Sequence, residues 1–236
     1  MRFELASNLA CRILAGAGSM TLTNYQDEHP RTAEVLAHGL NEEGELIVVC
    51  EDAAWGMREV RVDVEKQAPE FHARIVAGTA HALGEIEWLE EGVGKLQLGP
   101  LFVHSGDGSL PFSTPEMLNR AQHLSEVDVD ELTARELFGD VLHEQAPALI
   151  DAIAAGEIPG SHVLDPATCA CPEHLGQVYV VDICEVGVVL MQTLALGTRV
   201  AFVPLEAPAR GFEQLLAQFE QLSIDVAVWQ VACRNR

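Results

Sequence analysis

Residues 143–147, His-Glu-Gln-Ala-Pro, begin as a zinc-protease helix begins. Such a helix holds its metal with two histidines four positions apart, and the glutamate acts on the bound water. Here the second histidine's place is taken by Pro147. Proline supplies no ligand, and inside a continuous helix its ring clashes with the carbonyl four residues back. The stretch therefore reads as two helices, 126–144 and 146–155, with a kink between them. Leu142, Ala146, Leu149, Ile150 and Ile153 recur at spacings of three and four, so the packing reading outweighs a metalloprotease.

A second cluster, His162, Cys169, Cys171 and His174, puts four zinc-type ligands within thirteen residues. Cys-x-Cys-x-x-His departs from the Cys-x-x-Cys knuckle of most structural zinc sites. Zinc binding, thiol redox chemistry and ordinary loop cysteines all stay open for it. Arg61 lies on one predicted strand; His72 and Arg74 lie at the start of the next. On adjacent strands two arginines could hold a phosphate bidentately, or they could simply balance an acidic surface. His81 and His104 are single strand histidines, a type more often structural than functional. The chain has no GxGxxG, no P-loop and no GxSxG elbow. GAGSM at 16–20 follows a helix instead of a strand, so it is not a dinucleotide fingerprint.

These residues sit in a chain of 236, long enough for one large or two modest domains, with 48% hydrophobic residues to build a core. Thirty-six acidic residues face fourteen basic ones, and the net charge of −22 argues against nucleic-acid and anionic-membrane partners. No apolar run reaches the roughly 18 residues of a membrane span. The first twenty residues carry Glu4 and Arg12, unlike a secretory signal. Six cysteines in a chain this long make no disulfide framework, so the expected compartment is the cytoplasm.

The elements that must position the candidates follow from periodicity. Residues 3–15 have helical spacing and end at Gly16 and Gly18. Strands are expected at 19–24, 45–51 and 59–65, then a long strand or hairpin at 73–90 and a strand pair within 95–110. Such a β-rich half suggests a barrel or sandwich. From 113 a capped helix begins at Ser113 or Thr114 with Pro115 behind it. After the helical region comes a proline-containing loop to 174, a hairpin at 177–194, a strand at 198–204 and a helix at 211–222. The reading is α+β: residues 1–112 an N-terminal barrel or sandwich, and residues 113–236 a small C-terminal α+β domain.

The leading Leu-Ala-x-Asn-Leu-Ala-Cys-Arg-Ile-Leu-Ala helix, the Asn-Glu-Glu-Gly turn before Glu-Leu-Ile-Val-Val-Cys, and Ala-Arg-Ile-Val-Ala-Gly carry a resemblance. The first half resembles the FMN-binding split barrel of the pyridoxamine-phosphate-oxidase-like superfamily. The second half, through 141–153, 181–190, 199–204 and 212–219, is similar to the α+β domain of haem-utilisation and glutamyl-tRNA-reductase-binding proteins. The resemblance implies a homodimer and FMN as the first cofactor, with Arg61, Arg74 and Thr79 as phosphate-binding types and a flavin-dependent oxidoreductase if the protein is an enzyme. It implies haem less, because the helix pattern His-Leu-Asn-Glu-Asp-His falls here on 141–146, with Val141 and Ala146 in place of its histidines. His143 stands about 200° around the helix from the first of these. The alternative is a cofactor-free regulatory or interaction module that kept the fold and lost the site.

Overall fold

The computed structural model describes residues 2–25, 29–51, 54–70, 74–105, 108–124, 130–165 and 174–234. The chain divides into two units, Met1–Gln67 with Val76–Glu126, and Ala68–Ile75 with Val127–Arg236. Where the sequence reading puts the boundary at 112, the helix that follows belongs to the first unit, and the short segment 68–75 belongs to the second.

The first unit opens with helix α1 (Arg2–Leu14) and continues through strands β1 (Ser19–Asn24), β2 (Arg31–Leu40), β3 (Leu46–Cys50) and β4 (Glu59–Gln67). Strands β5 (Val76–Glu90), β6 (Val93–Leu98), β7 (Leu101–Ser105) and β8 (Gly108–Phe112) follow, then helix α2 (Thr114–Leu124). The hydrogen-bonded order β4-β1-β2-β3-β6-β5 closes on itself through β4–β5, giving a six-stranded antiparallel barrel with β7 and β8 added outside the ring. That architecture is compatible with the split barrel expected from sequence. The alternation seen in Glu59–Gln67 is the reason β4 can close it. Val60, Val62 and Val64 are buried, while Arg61, Asp63 and Glu65 take the other face. The core adds Met20, Leu22, Leu46, Val48, Ala80 and Ala82, capped by Leu9, Ile13 and Leu14 of α1.

The predicted long strand at 73–90 is one strand with a divided edge. β5 pairs with β4 from Val76 to Glu85 along one side. On its other side Thr79–His81 face β7 and Gly84–Glu90 face β6. The pair expected within 95–110 is three strands, β6 to β8, and the sequence reading has no strand at β2 or at β9 (Ser161–Asp165). β2 shows little burial alternation, and β9 is a five-residue edge strand in a proline-flanked stretch.

In the second unit β9, β10 (Val178–Cys184), β11 (Gly187–Leu194) and β12 (Gly197–Pro204) form an antiparallel sheet in the order β10-β11-β12-β9. Helices α3 (Glu131–Leu142), α4 (Ala146–Ala154) and α5 (Phe212–Arg234) pack on it. A 3-10 turn at His143–Gln145 separates α3 from α4, and Pro147 stands in the first turn of α4, where its missing N–H costs nothing. The predicted stripe of Leu142, Ala146, Leu149, Ile150 and Ile153 is buried throughout. Phe138 of α3 meets Phe219 of α5 edge-on at 5.5 Å. No described helix is long and apolar enough to cross a membrane.

Two features of the first unit are open to measurement. GAGSM makes the reversal from α1 into β1, with Gly16 at φ 116° and Gly18 at φ 90°. A Cβ on Gly18 would stand 2.7 Å from the Glu65 carbonyl oxygen. Gly18→Ala should therefore destabilise the protein by about 1–3 kcal/mol in a denaturant melt.

His38 of β2 donates Nε2–H to the Ile13 carbonyl at 2.8 Å, at the C-terminal end of α1. Burial lowers its pKa, and the bond to Ile13 opposes this in part. Below about pH 6.5 the unfolded chain binds a proton that the folded chain refuses. Stability should fall as pH drops from there through the lowered folded value, and His38→Gln should flatten that part of the curve.

Candidate functional site

The strands set two of the predicted phosphate residues, Arg61 and Thr79, at different points along one face. Arg61 and Thr79 both lie on the outer face of the barrel, but Arg61 is opposite Leu83 and Thr79 is opposite Glu65, four positions along β4. The Arg61 guanidinium is already held by Asp63, at 3.0 Å through Nε and 2.7 Å through the terminal nitrogen. Arg74 belongs to the second unit. Of the two lysines, Lys66 is buried and Lys95 is paired with Glu45. Asp63 and Glu65 beside Arg61 and Thr79 make this face a poor phosphate cradle.

His81 and His104, read singly in the sequence, meet here. Residues 81 and 104 sit on adjacent strands β5 and β7, with His104 Nε2 and His81 Nδ1 3.0 Å apart and Phe102 stacked on His81. His72, Cys169 and Cys171 lie outside the described residues. His162 is exposed on β9. No three His, Cys, Asp or Glu side chains among the described residues converge as a metal site.

The second unit instead holds a groove of about 900 Å³ along the open edge of β10. One wall comes from α3. Glu136, Gly139, Asp140 and His143 recur at three and four residues, so they share a helix face, and Ala146 and Pro147 continue the wall. His143 and Ala146 both line the groove. Gly139 lines the groove, and a Cβ on it would meet nothing within 4 Å, so a side chain there has open space to enter.

The other wall is β10 and the turn before it. Gly176 N–H donates to the Thr193 carbonyl at 2.9 Å, and Thr193 N–H donates to the Gln177 carbonyl at 3.0 Å. These bonds tie the His174–Gln177 turn to β11 and fix His174 at the groove. Tyr179 is 6% exposed. Its hydroxyl lies 2.6 Å from Gln177 Oε1 and 2.7 Å from His174 Nδ1. Burial raises the tyrosine pKa, and the Glu70 charge raises it further.

Glu70 joins the two walls. Its carboxylate accepts from Arg135 of α3 at 2.9 Å and from the Val180 N–H of β10 at 3.3 Å. Val180 is on an edge strand, whose outward N–H groups have no strand partner, so the carboxylate satisfies one of them. Three carboxylates, Glu70, Glu136 and Asp140, line the groove against the one guanidinium of Arg135. Such a site repels phosphate and accepts a cationic centre.

Sequence reading placed only His143 and His174 among these residues. Tyr179 had one weak signal: it interrupts the aliphatic run Val-Tyr-Val-Val five positions after His174. Glu70 and Arg135 are 65 residues apart and carry no joint signal.

The pair can be tested directly. Glu70→Ala removes two acceptors and leaves Arg135 without this partner. It should cost about 1.5–3 kcal/mol in urea unfolding, more than Glu136→Ala on the exposed rim of the same groove.

No protein-family model matches the chain, and no curated protein matches it. Among solved structures it is similar to a heme binding protein from Mycobacterium smegmatis, at 14% identity and a TM-score of 0.48, over 94% of this chain and 97% of that one.

Proposed function

We propose that this chain is a haem-class ligand-binding protein, and that the groove of the second unit is its site. The observation that carries the reading is the donor set: two imidazoles and a phenol, His143, His174 and Tyr179, around one 900 Å³ groove. Ligand sites of roughly 300–1,000 Å³ hold drug-sized molecules. Phe138, Ala146, Val178 and Val180 supply apolar walls for a flat macrocycle. Nitrogen and phenol oxygen are the ligand types that hold haem iron. When bound, the group would supply its own redox or ligand chemistry. This chain's residues would hold its face, exclude water and meet its metal.

FMN finds less support. Its phosphate needs converging cations, and Arg61 is held by Asp63 and set four positions along β4 from the partner of Thr79. A cofactor-free regulatory module is the competing reading.

Hemin and FMN titrated into the purified protein separate the three. The expected result is saturable uptake of one hemin per chain with a shifted Soret band, and no uptake of FMN. Gly139→Leu should leave the fold intact and weaken hemin binding by at least about tenfold, about 1.4 kcal/mol, because it puts a bulky side chain on the groove wall. Binding that is unchanged in Gly139→Leu, or a protein that takes up no hemin, overturns the reading.

A further inference from the structure

We infer that His81 and His104 form a binding site for a late transition-metal dication on the outer face of β5 and β7. This site lies wholly in the first unit and is independent of what fills the groove of the second.

Antiparallel register makes the pair. Phe102 of β7 is opposite His81, and His104 is opposite Thr79, so the two histidines are diagonal neighbours on one face. The His81 ring lies against Phe102 at 5.3 Å and 10°, and against His104 at 5.0 Å and 21°. These contacts hold the two rings in place, with His81 Nδ1 and His104 Nε2 3.0 Å apart. Metal–imidazole bonds are about 2.0–2.1 Å long, so two ligand nitrogens stand about 2.9 Å apart at a right angle and about 3.4 Å apart at the tetrahedral angle. The separation of 3.0 Å falls within that range, so a metal can replace the shared proton with little movement of either ring. Both histidines are half-buried, which leaves the remaining metal positions to water. No third ligand side chain converges among the described residues, so the ion is exchangeable and not locked in a closed structural site.

The surroundings favour a cation. Asp63 of β4 is opposite His81, and Glu65 is opposite Thr79, across which lies His104. The nearby Arg61 is held by Asp63. The carboxylates that make this face a poor phosphate cradle attract a dication. Imidazole nitrogen then selects among dications: zinc, copper and nickel suit it, whereas magnesium and calcium take oxygen ligands. Binding needs a lone pair on both facing nitrogens. The ring that donates in the hydrogen bond gives that proton to water and takes one up on its far nitrogen. Both rings stay neutral imidazoles, no net proton is released and no electron is transferred.

Zinc, copper and magnesium ions are the probes. In proton–nitrogen correlation spectra of the imidazole rings, zinc should shift the signals of His81 Nδ1 and His104 Nε2 together and saturably, and magnesium should shift neither. Copper(II) should give an electron paramagnetic resonance signal coupled to two imidazole nitrogens. His81→Gln and His104→Gln should each remove one of those nitrogens. Loss of an outer-shell partner costs a metal site about 10–100-fold in affinity, and loss of a direct ligand here should weaken zinc binding at the pair by at least about tenfold. His162→Ala, on exposed β9, should leave both readouts unchanged. Circular dichroism melts of each variant report folding independently, and the wild-type zinc titration needs no variant. Zinc that leaves both ring signals in place overturns the site. So does a copper signal that is the same in wild type, His81→Gln and His104→Gln, or a magnesium response equal to that of zinc.

Discussion

The first unit depends on the divided edge of β5. One strand of 15 residues serves β4 on one side, and β7 and then β6 on the other. Without the β4–β5 pairing the ring would be an open sheet with two long exposed edges. Closure also fixes which side chains can act. The valines of β4 and alanines of β5 turn inward into the core that α1 caps. The charged and histidine positions between them turn outward together, so Arg61 arrives beside Asp63, and His81 beside His104.

In the second unit one carboxylate has a comparable place. Glu70 reaches α3 through Arg135 and β10 through the Val180 N–H, and so sets the width of the groove between helix and sheet edge. An edge strand normally presents unpaired backbone groups to solvent. Here one of them is satisfied by a side chain from segment 68–75, which leaves the wall of the groove to side chains. Burial raises the Tyr179 pKa, and the charge of the same carboxylate raises it further. The acidic lining of the groove separates ligand classes: a phosphate is repelled by three carboxylates, and a cationic metal centre is not.

Much of this fold is legible in the residues wherever burial has a period. β1, β3, β4, the β10–β11 hairpin and β12 follow alternation or apolar runs, and α1 and α2 follow helical spacing with their end signals. Pro147 marks the break between α3 and α4 by its own chemistry. Where burial has no period the residues are silent. β2 has mixed exposure along ten residues, and α5 continues to Arg234 through a stretch apolar on several sides. The end of α2 and the assignment of 68–75 to the second unit depend on contacts that no local pattern records.

The candidate site divides the same way. Sequence alone determined the composition of the site: a chain with few cations and many carboxylates, histidines at 143 and 174, and no motif for phosphate. It also determined that the broken helical stretch at 141–153 is built to pack. Only tertiary structure decided which of these residues meet. Glu70 finds Arg135 and Tyr179 finds His174 because β10 lies at a sheet edge, facing α3. Arg61 and Thr79 stay apart because antiparallel register sets them four positions out of step. Residue types are written locally, but a binding site is a set of distances, and distances come from register and packing.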